Sequence, residues 1–174
     1  DPKTGFPLAI MDGTLATSLR TGAGGAVAAK YLARKDSSVV ALVGCGVQAR
    51  AQLVALREIF KIKDVRVWGH QKALAVRFIH AMKRPGEAMT AAKNIQGCVA
   101  GADIVVTTTP SRKPIVQSSW IKDGAHINAI GADAPGKEEL DPKVLKRARV
   151  VVDDLEQASH CGEINVPVTK GLFK

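Results

Sequence analysis

The chain has 174 residues, a length that suits a single domain of ordinary size. Hydrophobic residues make up 46% of it and charged residues 24%, which excludes intrinsic disorder. Aromatic residues make up only 4%, which argues against base stacking on single-stranded nucleic acid. The formal net charge of +9 is compatible with nucleic acid, acidic membranes and phosphorylated small molecules alike.

The cysteines and the N-terminus indicate where such a protein works. Cys45, Cys98 and Cys161 are widely spaced and form no CxxC pair, so neither a disulfide framework nor a zinc site is expected, and a reducing cytoplasm fits best. His160, Cys161 and Glu163 have no second ligand cluster to complete a metal site. Because no apolar run reaches roughly 18 residues and the first residues lack the features of a signal peptide, we expect no membrane association.

The first 33 residues predict a short strand at 7–11, a turn at Asp12-Gly13 and a helix at 17–33. The helix is rich in small residues, so it can pack closely against a neighbouring element. The lone strand has little to pair with. We therefore expect the chain to begin part-way through a larger protein.

From residue 38 onwards, short apolar runs alternate with helical stretches, a pattern typical of parallel strands covered on both faces. The sequence therefore predicts an α/β fold with a Rossmann-type, doubly wound parallel sheet. The predicted strands span 39–43, 65–68, 103–108, 126–130 and 150–152, and the predicted helices span 47–60, 72–82, 94–100 and 142–148.

The sharpest motif is a glycine turn after the first of these strands, with Gly44 and Gly46 in a GxGxxA pattern that ends at Ala49. In a dinucleotide site the first glycine makes the tight turn and the second leaves room for the pyrophosphate. The helix N-terminus, at Val47 and Gln48, then supplies free N–H groups and a positive dipole. A tight strand-to-helix turn without a ligand is the alternative, but the strand before and the helix after favour a nucleotide cofactor.

The end of the second predicted strand carries no acid. NAD-selective sites usually place Asp or Glu there, about 20 residues after the glycine turn, to bond the ribose hydroxyls. This sequence has Gly69, His70, Gln71 and Lys72 instead. His70, Lys72 and Arg66 are candidates for contacting a 2′-phosphate, although a solvated helix face explains the same charges. Both NAD and NADP stay open as the cofactor.

Open α/β sheets bind ligands beyond the carboxyl ends of their strands. Thr108 and Thr109 lie at the end of the strand predicted at 103–108, and Asn128, Ala129 and Ile130 lie at the end of the next one. Both segments are therefore candidates for lining the nicotinamide of a bound cofactor. Threonine hydroxyls that only cap a strand end are the alternative for the first segment.

Asp133 follows the strand predicted at 126–130 and precedes a loop that contains Pro135. A carboxylate in this place can hold a substrate ammonium or move a proton. The alternative is an Asx turn that leads into the proline. No GxSxG elbow occurs, which disfavours a Ser-His-Asp hydrolase.

Several segments together resemble the ornithine cyclodeaminase and mu-crystallin family, and within it the archaeal-type alanine dehydrogenases. They include SLRTGAGG, VGCGVQARAQLVAL, TTTPSRKP and INAIGADAPGKEELD, and with their neighbours they cover nearly the whole chain. The first and last of these are specific to the family rather than general features of Rossmann folds. Members of the family are longer at both ends than this chain.

The resemblance implies an NAD(P)-binding Rossmann domain over residues 34–174 and, over residues 1–33, the remainder of a substrate and dimerisation domain with its connecting helix. It also implies NAD(P)-dependent, reversible oxidative deamination of L-alanine to pyruvate and ammonium, and a homodimer at full length. Arg20 is implied to approach the cofactor phosphates, Lys137 to contact the cofactor and Asp133 to face the substrate. Residues 128–130 are implied to line the nicotinamide side, and residues 69–71 take the ribose position.

Two other functions within the family stay open, ornithine cyclodeamination and the reduction of a cyclic imine. A cofactor-binding module without turnover is a further alternative, because the chain lacks flanking sequence that the family has. Nucleic-acid binding rests on the net charge alone. We expect small-molecule rather than nucleic-acid partners.

Overall fold

A computed structural model describes residues 1–173 as a layered α/β structure. Its main sheet has five parallel strands in the order β3-β2-β1-β4-β6. A separate pair, β5-β7, is also parallel. The strands are β1 (Val39–Val43), β2 (Asp64–Trp68), β3 (Ala88–Ala91), β4 (Ile104–Thr107), β5 (Arg112–Val116), β6 (His126–Ala129) and β7 (Glu138–Leu140).

Seven α-helices and one 3₁₀ turn, at Ser118–Trp120, cover these strands within residues 1–173. Within the same residues, no helix combines the length and apolar character that crossing a membrane requires. The helices are α1 (Thr14–Leu32), α2 (Val47–Arg57), α3 (Lys72–Met82), α4 (Ile95–Val99), α5 (Pro142–Arg147), α6 (Leu155–Cys161) and α7 (Asn165–Thr169).

The core lies on both faces of the central strands. Successive side chains of a strand point to opposite faces of the sheet. Val40 and Leu42 of β1 pack with α2 and α3, while Ala41 and Val43 pack with α4 and α5 on the other face. All four are fully buried, which explains why β1 reads as an unbroken apolar run. The predicted doubly wound sheet is confirmed.

Helix α1 packs tightly against α2, as its small residues predict. A Cβ atom on Gly22 would lie 2.7 Å from the carbonyl oxygen of Ala51, and one on Gly25 would lie 2.1 Å from the side chain of Gln52. The Ala51 carbonyl and the buried Gln52 amide cannot move aside easily to make room for a side chain. Glycine at both positions therefore sets the separation of the two helices.

A buried carboxylate closes the N-terminal end of the sheet. Asp103, just before β4, accepts the N–H groups of Ser38 and Val39 at 2.9 Å each. The same carboxylate pairs with Arg34 at 2.7 Å and with Lys122 at 2.6 Å. Burial opposes ionisation, but the hydrogen bonds from Lys122, Ser38 and Val39 outweigh it and lower the pKa of Asp103 to about 2.

Several predicted boundaries differ from the structure. Residues 7–11 form no strand and are exposed, because no neighbouring strand in the described chain pairs with them, and α1 begins at Thr14 rather than at residue 17. Residues 150–152 are not a strand either, and Val151 is half-exposed. Three strands were missed: β3, whose burial alternates, and the short pair β5 and β7.

Candidate functional site

The glycine turn stands at the carboxyl end of β1, where the sequence places it. Gly44 has φ +111°, which side chains rarely adopt, and its N–H donates to the carbonyl of Trp68 at 2.9 Å. A Cβ atom there would lie 2.5 Å from the Thr108 hydroxyl. Gly44 is therefore required both by backbone conformation and by the close approach of the loop after β4.

Gly46 serves a different purpose. Its backbone is extended, with φ −85° and ψ −163°, and a Cβ atom on it would meet nothing within 4 Å. The structure of the chain alone thus gives no reason for glycine at this position. The space in front of Gly46 is open, which is the room that a pyrophosphate needs.

Helix α2 begins directly behind that space. The first N–H groups of a helix have no acceptor within it, and Gly46 supplies no side chain to cap them. Val47 is 61% exposed, and the side-chain oxygen of Gln48 is buried without a hydrogen-bond partner among the described residues. The unpaired N–H groups and the helix dipole suit an anionic group, whereas the Gln48 oxygen is an acceptor and does not help to hold one.

The ribose position lies at the end of β2, next to the glycine turn. A Cβ atom on Gly69 would lie 2.7 Å from the Cys45 sulfur, so this glycine is needed for packing. His70 and Gln71 are exposed and free to meet a ligand. Arg66 is engaged within the chain, because its guanidinium donates to Asp64 at 2.9 Å and to the carbonyl of Ala100 at 2.6 Å, and its contact with a 2′-phosphate stays a prediction.

The loops after β4 and β6 lie side by side at the same edge. The N–H of Ile130 donates to Thr107 at 2.9 Å, and a Cβ atom on Gly131 would lie 2.3 Å from the carbonyl oxygen of Thr109. Thr108, Thr109, Ala129 and Ile130 are all partly exposed. The two predicted nicotinamide-side segments are thus brought together.

Asn128 has a different place. Its amide nitrogen donates to the carbonyl of Gly25 at 3.0 Å and to Gln52 at 3.1 Å, and its oxygen lies 2.7 Å from the His126 ring. The side chain is therefore fully occupied in the seam between β6, α1 and α2. That Asn128 lines the nicotinamide side stays a prediction.

Asp133 and Lys137 form an ion pair across the loop that follows β6. The carboxylate side chain is 71% exposed, whereas the lysine side chain is 19% exposed. Asn165 of α7 fixes the same loop, because it accepts the N–H of Gly136 at 3.0 Å and donates to the carbonyl of Lys137 at 2.9 Å. The loop therefore presents Asp133 to solvent from a held backbone.

A carboxylate that the sequence analysis missed connects these loops. Glu139 of β7 is fully buried and accepts three hydrogen bonds: from the N–H and hydroxyl of Thr109 at 2.7 and 2.6 Å, and from the N–H of Gly131 at 2.9 Å. Burial raises its pKa, and the hydrogen bonds from Thr109 and Gly131 oppose that shift. In sequence it belongs to a charged run, Lys137-Glu138-Glu139, which is typical of a solvated surface.

A second buried carboxylate, Glu163, hydrogen-bonds to the backbone of β7. It accepts the N–H groups of Glu139 and Leu140 at 2.9 and 2.6 Å, and its other oxygen is buried without a partner among residues 1–173. Burial, together with the nearby charges of Glu139 and Glu138, raises the pKa of Glu163 to about 8. At neutral pH this side chain is therefore mostly protonated.

Arg20 is the remaining candidate for the cofactor phosphates. Arg20 is exposed on α1, two residues before the contact of Gly22 with α2, and makes no hydrogen bond within the described chain. Its approach to phosphates stays a prediction. Among residues 1–173, no cluster of three or more His, Cys, Asp or Glu side chains is arranged to hold a metal ion.

Comparisons with known proteins agree with this geometry. Residues 1–173 match the profile of the Ornithine cyclodeaminase/mu-crystallin family. The chain is 54% identical over 174 residues to the alanine dehydrogenase of Archaeoglobus fulgidus, covering 99% of this chain and 53% of that protein. This chain belongs to the ornithine cyclodeaminase/mu-crystallin family.

Solved structures of the family match the fold. An archaeal alanine dehydrogenase dimer with bound NAD superposes with a TM-score of 0.94 at 53% identity, covering 99% of this chain and 53% of that one. The Δ1-pyrroline-2-carboxylate reductase of Thermococcus litoralis, in complex with NADH and L-proline, gives a TM-score of 0.90 at 36% identity, covering 100% and 55%. The chain thus spans about half the length of these relatives.

Proposed function

We propose that this chain is the cofactor-binding part of an NAD(P)-dependent oxidoreductase whose reaction is the reversible oxidative deamination of L-alanine to pyruvate and ammonium. The observation that carries the cofactor proposal is the open space over Gly46, backed by the N-terminus of α2. The similarity to an alanine dehydrogenase at 54% identity supports the choice of substrate.

The residues present fit a dinucleotide. The N–H groups at the start of α2, at Val47 and Gln48, would hold the pyrophosphate over Gly46. His70 and Gln71 would flank the ribose of the adenosine half. The loops that carry Thr108 and Ile130 would border the nicotinamide, at the point where sheets of this kind bind ligands.

The cofactor supplies a hydride acceptor, and the chain supplies orientation and proton handling. Alanine, water and the oxidised cofactor give pyruvate, ammonium, the reduced cofactor and one proton. Asp133 would hold the substrate ammonium or accept a proton from it, and its exposed carboxylate on a fixed loop after β6 supports this role. Asp133 pairs with Lys137 across the same loop.

A substrate panel on the protein expressed from the complete reading frame tests the reaction. We expect reduced cofactor to form with L-alanine and to be consumed with pyruvate and ammonium. Ornithine cyclodeamination gives no net change in reduced cofactor. Turnover of ornithine to proline, with none of alanine, would overturn the substrate assignment while leaving the cofactor site in place.

Reduction of a cyclic imine is the second candidate. The structural similarity to a pyrroline-2-carboxylate reductase that holds NADH and L-proline favours it. The same panel separates the two, because a cyclic imine consumes reduced cofactor without added ammonium. Faster consumption with the imine than with pyruvate and ammonium would select this candidate.

A homodimer is the proposed assembly at full length. Large apolar side chains of the first 32 residues are exposed, among them Phe6, Ile10, Leu15 and Leu19, and the similar archaeal alanine dehydrogenase is a dimer. These side chains would be covered by the rest of the protein. Sedimentation of the full-length protein as a monomer at micromolar concentration would contradict this.

A further inference from the structure

The Glu139 side chain joins two loops by hydrogen bonds. Its carboxylate receives the backbone N–H and the hydroxyl of Thr109, which follows β4, and the backbone N–H of Gly131, which follows β6. These donors lie 30 and 8 residues away in sequence. All of them are neutral, so the carboxylate is bound entirely by hydrogen bonds and not by a cation.

The hydrogen bonds define which atom must face which donor. One oxygen accepts both donors of Thr109, and the other accepts Gly131, so both oxygens are used as acceptors. A neutral amide in the same place would offer one acceptor and turn an NH₂ group toward an N–H donor. The site therefore selects a carboxylate and not merely a polar side chain of the same shape.

A buried charge is a costly way to hold a fold together, because apolar side chains of similar volume often stabilise as well or better. What a carboxylate supplies here is a fixed separation between two backbone segments. Both segments stand at the carboxyl edge of the sheet, and the second leads to Asp133, two residues after Gly131. The two segments are packed closely at Gly131 and Thr109, where there is no room for a side chain on Gly131.

We propose that Glu139 is a positioning residue for the nicotinamide side of the site, which holds the loops after β4 and β6 together so that Asp133 faces the reacting atoms. This inference rests on the proposed function. In this proposal Glu139 itself makes no contact with the cofactor or the substrate. It acts through Thr109 and Gly131.

The test compares two ligands on the purified chain. NADH has a nicotinamide, and ADP-ribose has the same adenosine and pyrophosphate without it. We expect Glu139→Gln to weaken NADH binding at least tenfold and to leave ADP-ribose binding within twofold of the parent. A role in the fold alone would weaken both ligands or neither.

Glu138→Gln is the matched control. Glu138 is the preceding residue of β7 and is also buried, but its side chain makes no hydrogen bond to the two loops. We expect this variant to bind both ligands as the parent does. Should Glu139→Gln fail to fold, Thr109→Val removes one of the three donors and is expected to shift NADH affinity in the same direction by a smaller factor.

The outcomes separate the two proposals. A parent chain that binds neither NADH nor ADP-ribose would overturn the proposed function. A parent that binds both, with folded Glu139→Gln or Thr109→Val variants that bind NADH equally well, would overturn the positioning role and leave the proposed function standing. Equal weakening of both ligands would also overturn it, because the effect would then be on the fold.

Discussion

Each end of the sheet has a buried carboxylate that accepts backbone N–H groups, but the two carboxylates serve different purposes. At the N-terminal end, Asp103 accepts two backbone N–H groups and two cations, Arg34 and Lys122. At the carboxyl end, Glu139 accepts backbone and hydroxyl donors of Thr109 and Gly131 and no cation. The charge of Asp103 is neutralised by Arg34 and Lys122, and this carboxylate stabilises the fold. Glu139 instead fixes two loops beside the start of α2, where backbone N–H groups are still unpaired.

The comparison implies that stability and ligand binding are separable along this sheet. Substitutions at the N-terminal end should change the free energy of unfolding and leave affinity alone. Substitutions at the carboxyl end should do the reverse, except where a buried group such as Glu163 also carries part of the fold.

The largest effect is expected for Asp103→Asn. The substitution removes the buried anionic partner of Arg34 and Lys122 and weakens the bonds to Ser38 and Val39. Breaking a buried pair typically costs 3–5 kcal/mol, and the partial exposure of both cations places this case near the lower end, at about 3 kcal/mol. Urea denaturation measures the loss, and NADH affinity below the unfolding transition should match the parent.

Asp36→Asn is the control for that experiment. Asp36 makes an exposed pair with Arg34 at 3.6 Å, with its side chain 85% exposed. Exposed pairs contribute little, so we expect a change below about 0.5 kcal/mol. Similar losses for the two variants would contradict the special role of the buried carboxylate.

The second prediction concerns pH, where the two ends respond with opposite sign. Asp103 has a lowered pKa of about 2, so its contribution is present above the ordinary value of 3.8 and is lost as pH falls toward 2. Glu163 has a raised pKa of about 8, so its contribution is complete below the ordinary value of 4.5 and is lost as pH rises toward 8.

The free energy of unfolding should therefore decline between pH 5 and pH 8, with a slope of at most about 1.4 kcal/mol per pH unit from this one group. Glu163→Gln keeps an acceptor for Glu139 and Leu140 and removes the titration. Its unfolding free energy should be flatter over the same window, measured by urea denaturation at several pH values. An equally steep decline in the variant would show that another group is responsible.

How far the sequence predicts this molecule depends on whether the relevant contacts are local. Strand β1 and helix α3 match their predicted bounds, since an apolar run and a helical period are visible in a short window. Strand β3 was missed because its edge position leaves alternate residues exposed, and the apolar run at 150–152 has no partner strand. Pairing is a property of neighbours that a local pattern does not contain.

In the candidate site, too, residues in a local motif could be predicted from the sequence, and residues with distant partners could not. Gly44, Gly46 and the residues of the ribose position were predicted because their motif has a fixed spacing. Glu139 was missed because its donors are distant in sequence, and the hydrogen bonds of the Asn128 side chain were missed because its partners, Gly25 and Gln52, belong to other elements. A buried acid within a charged run gives no local signal.

The third and smallest predicted effect concerns the preference for NAD or NADP at the carboxyl end of the sheet. No acid is present at the ribose position, so NADP should bind at least as well as NAD. His70→Asp supplies a ribose acceptor and repels a 2′-phosphate, which should move preference towards NAD by about tenfold, or about 1.4 kcal/mol. His70 is chosen over Gly69, because a side chain on Gly69 would collide with Cys45.

His80→Asp is its control, since the same substitution at the other end of α3 changes the net charge equally. Dissociation constants for NAD and NADP, measured by titration, give the preference of each protein. A parent that binds NAD a hundredfold tighter than NADP would show that a different residue selects the ribose.

The central claim is that the turn at Gly46 holds the pyrophosphate of a dinucleotide, and a pair of glycines tests it most directly. Gly46 and Gly24 both have open space where a Cβ atom would stand, but only Gly46 faces the N-terminus of α2. The measurement is the NADH dissociation constant of the parent, Gly46→Ala and Gly24→Ala. We predict binding at least tenfold weaker for Gly46→Ala, unchanged binding for Gly24→Ala, and unfolding free energies within about 1 kcal/mol of the parent for both. Equal NADH affinity in all three proteins would contradict the claim.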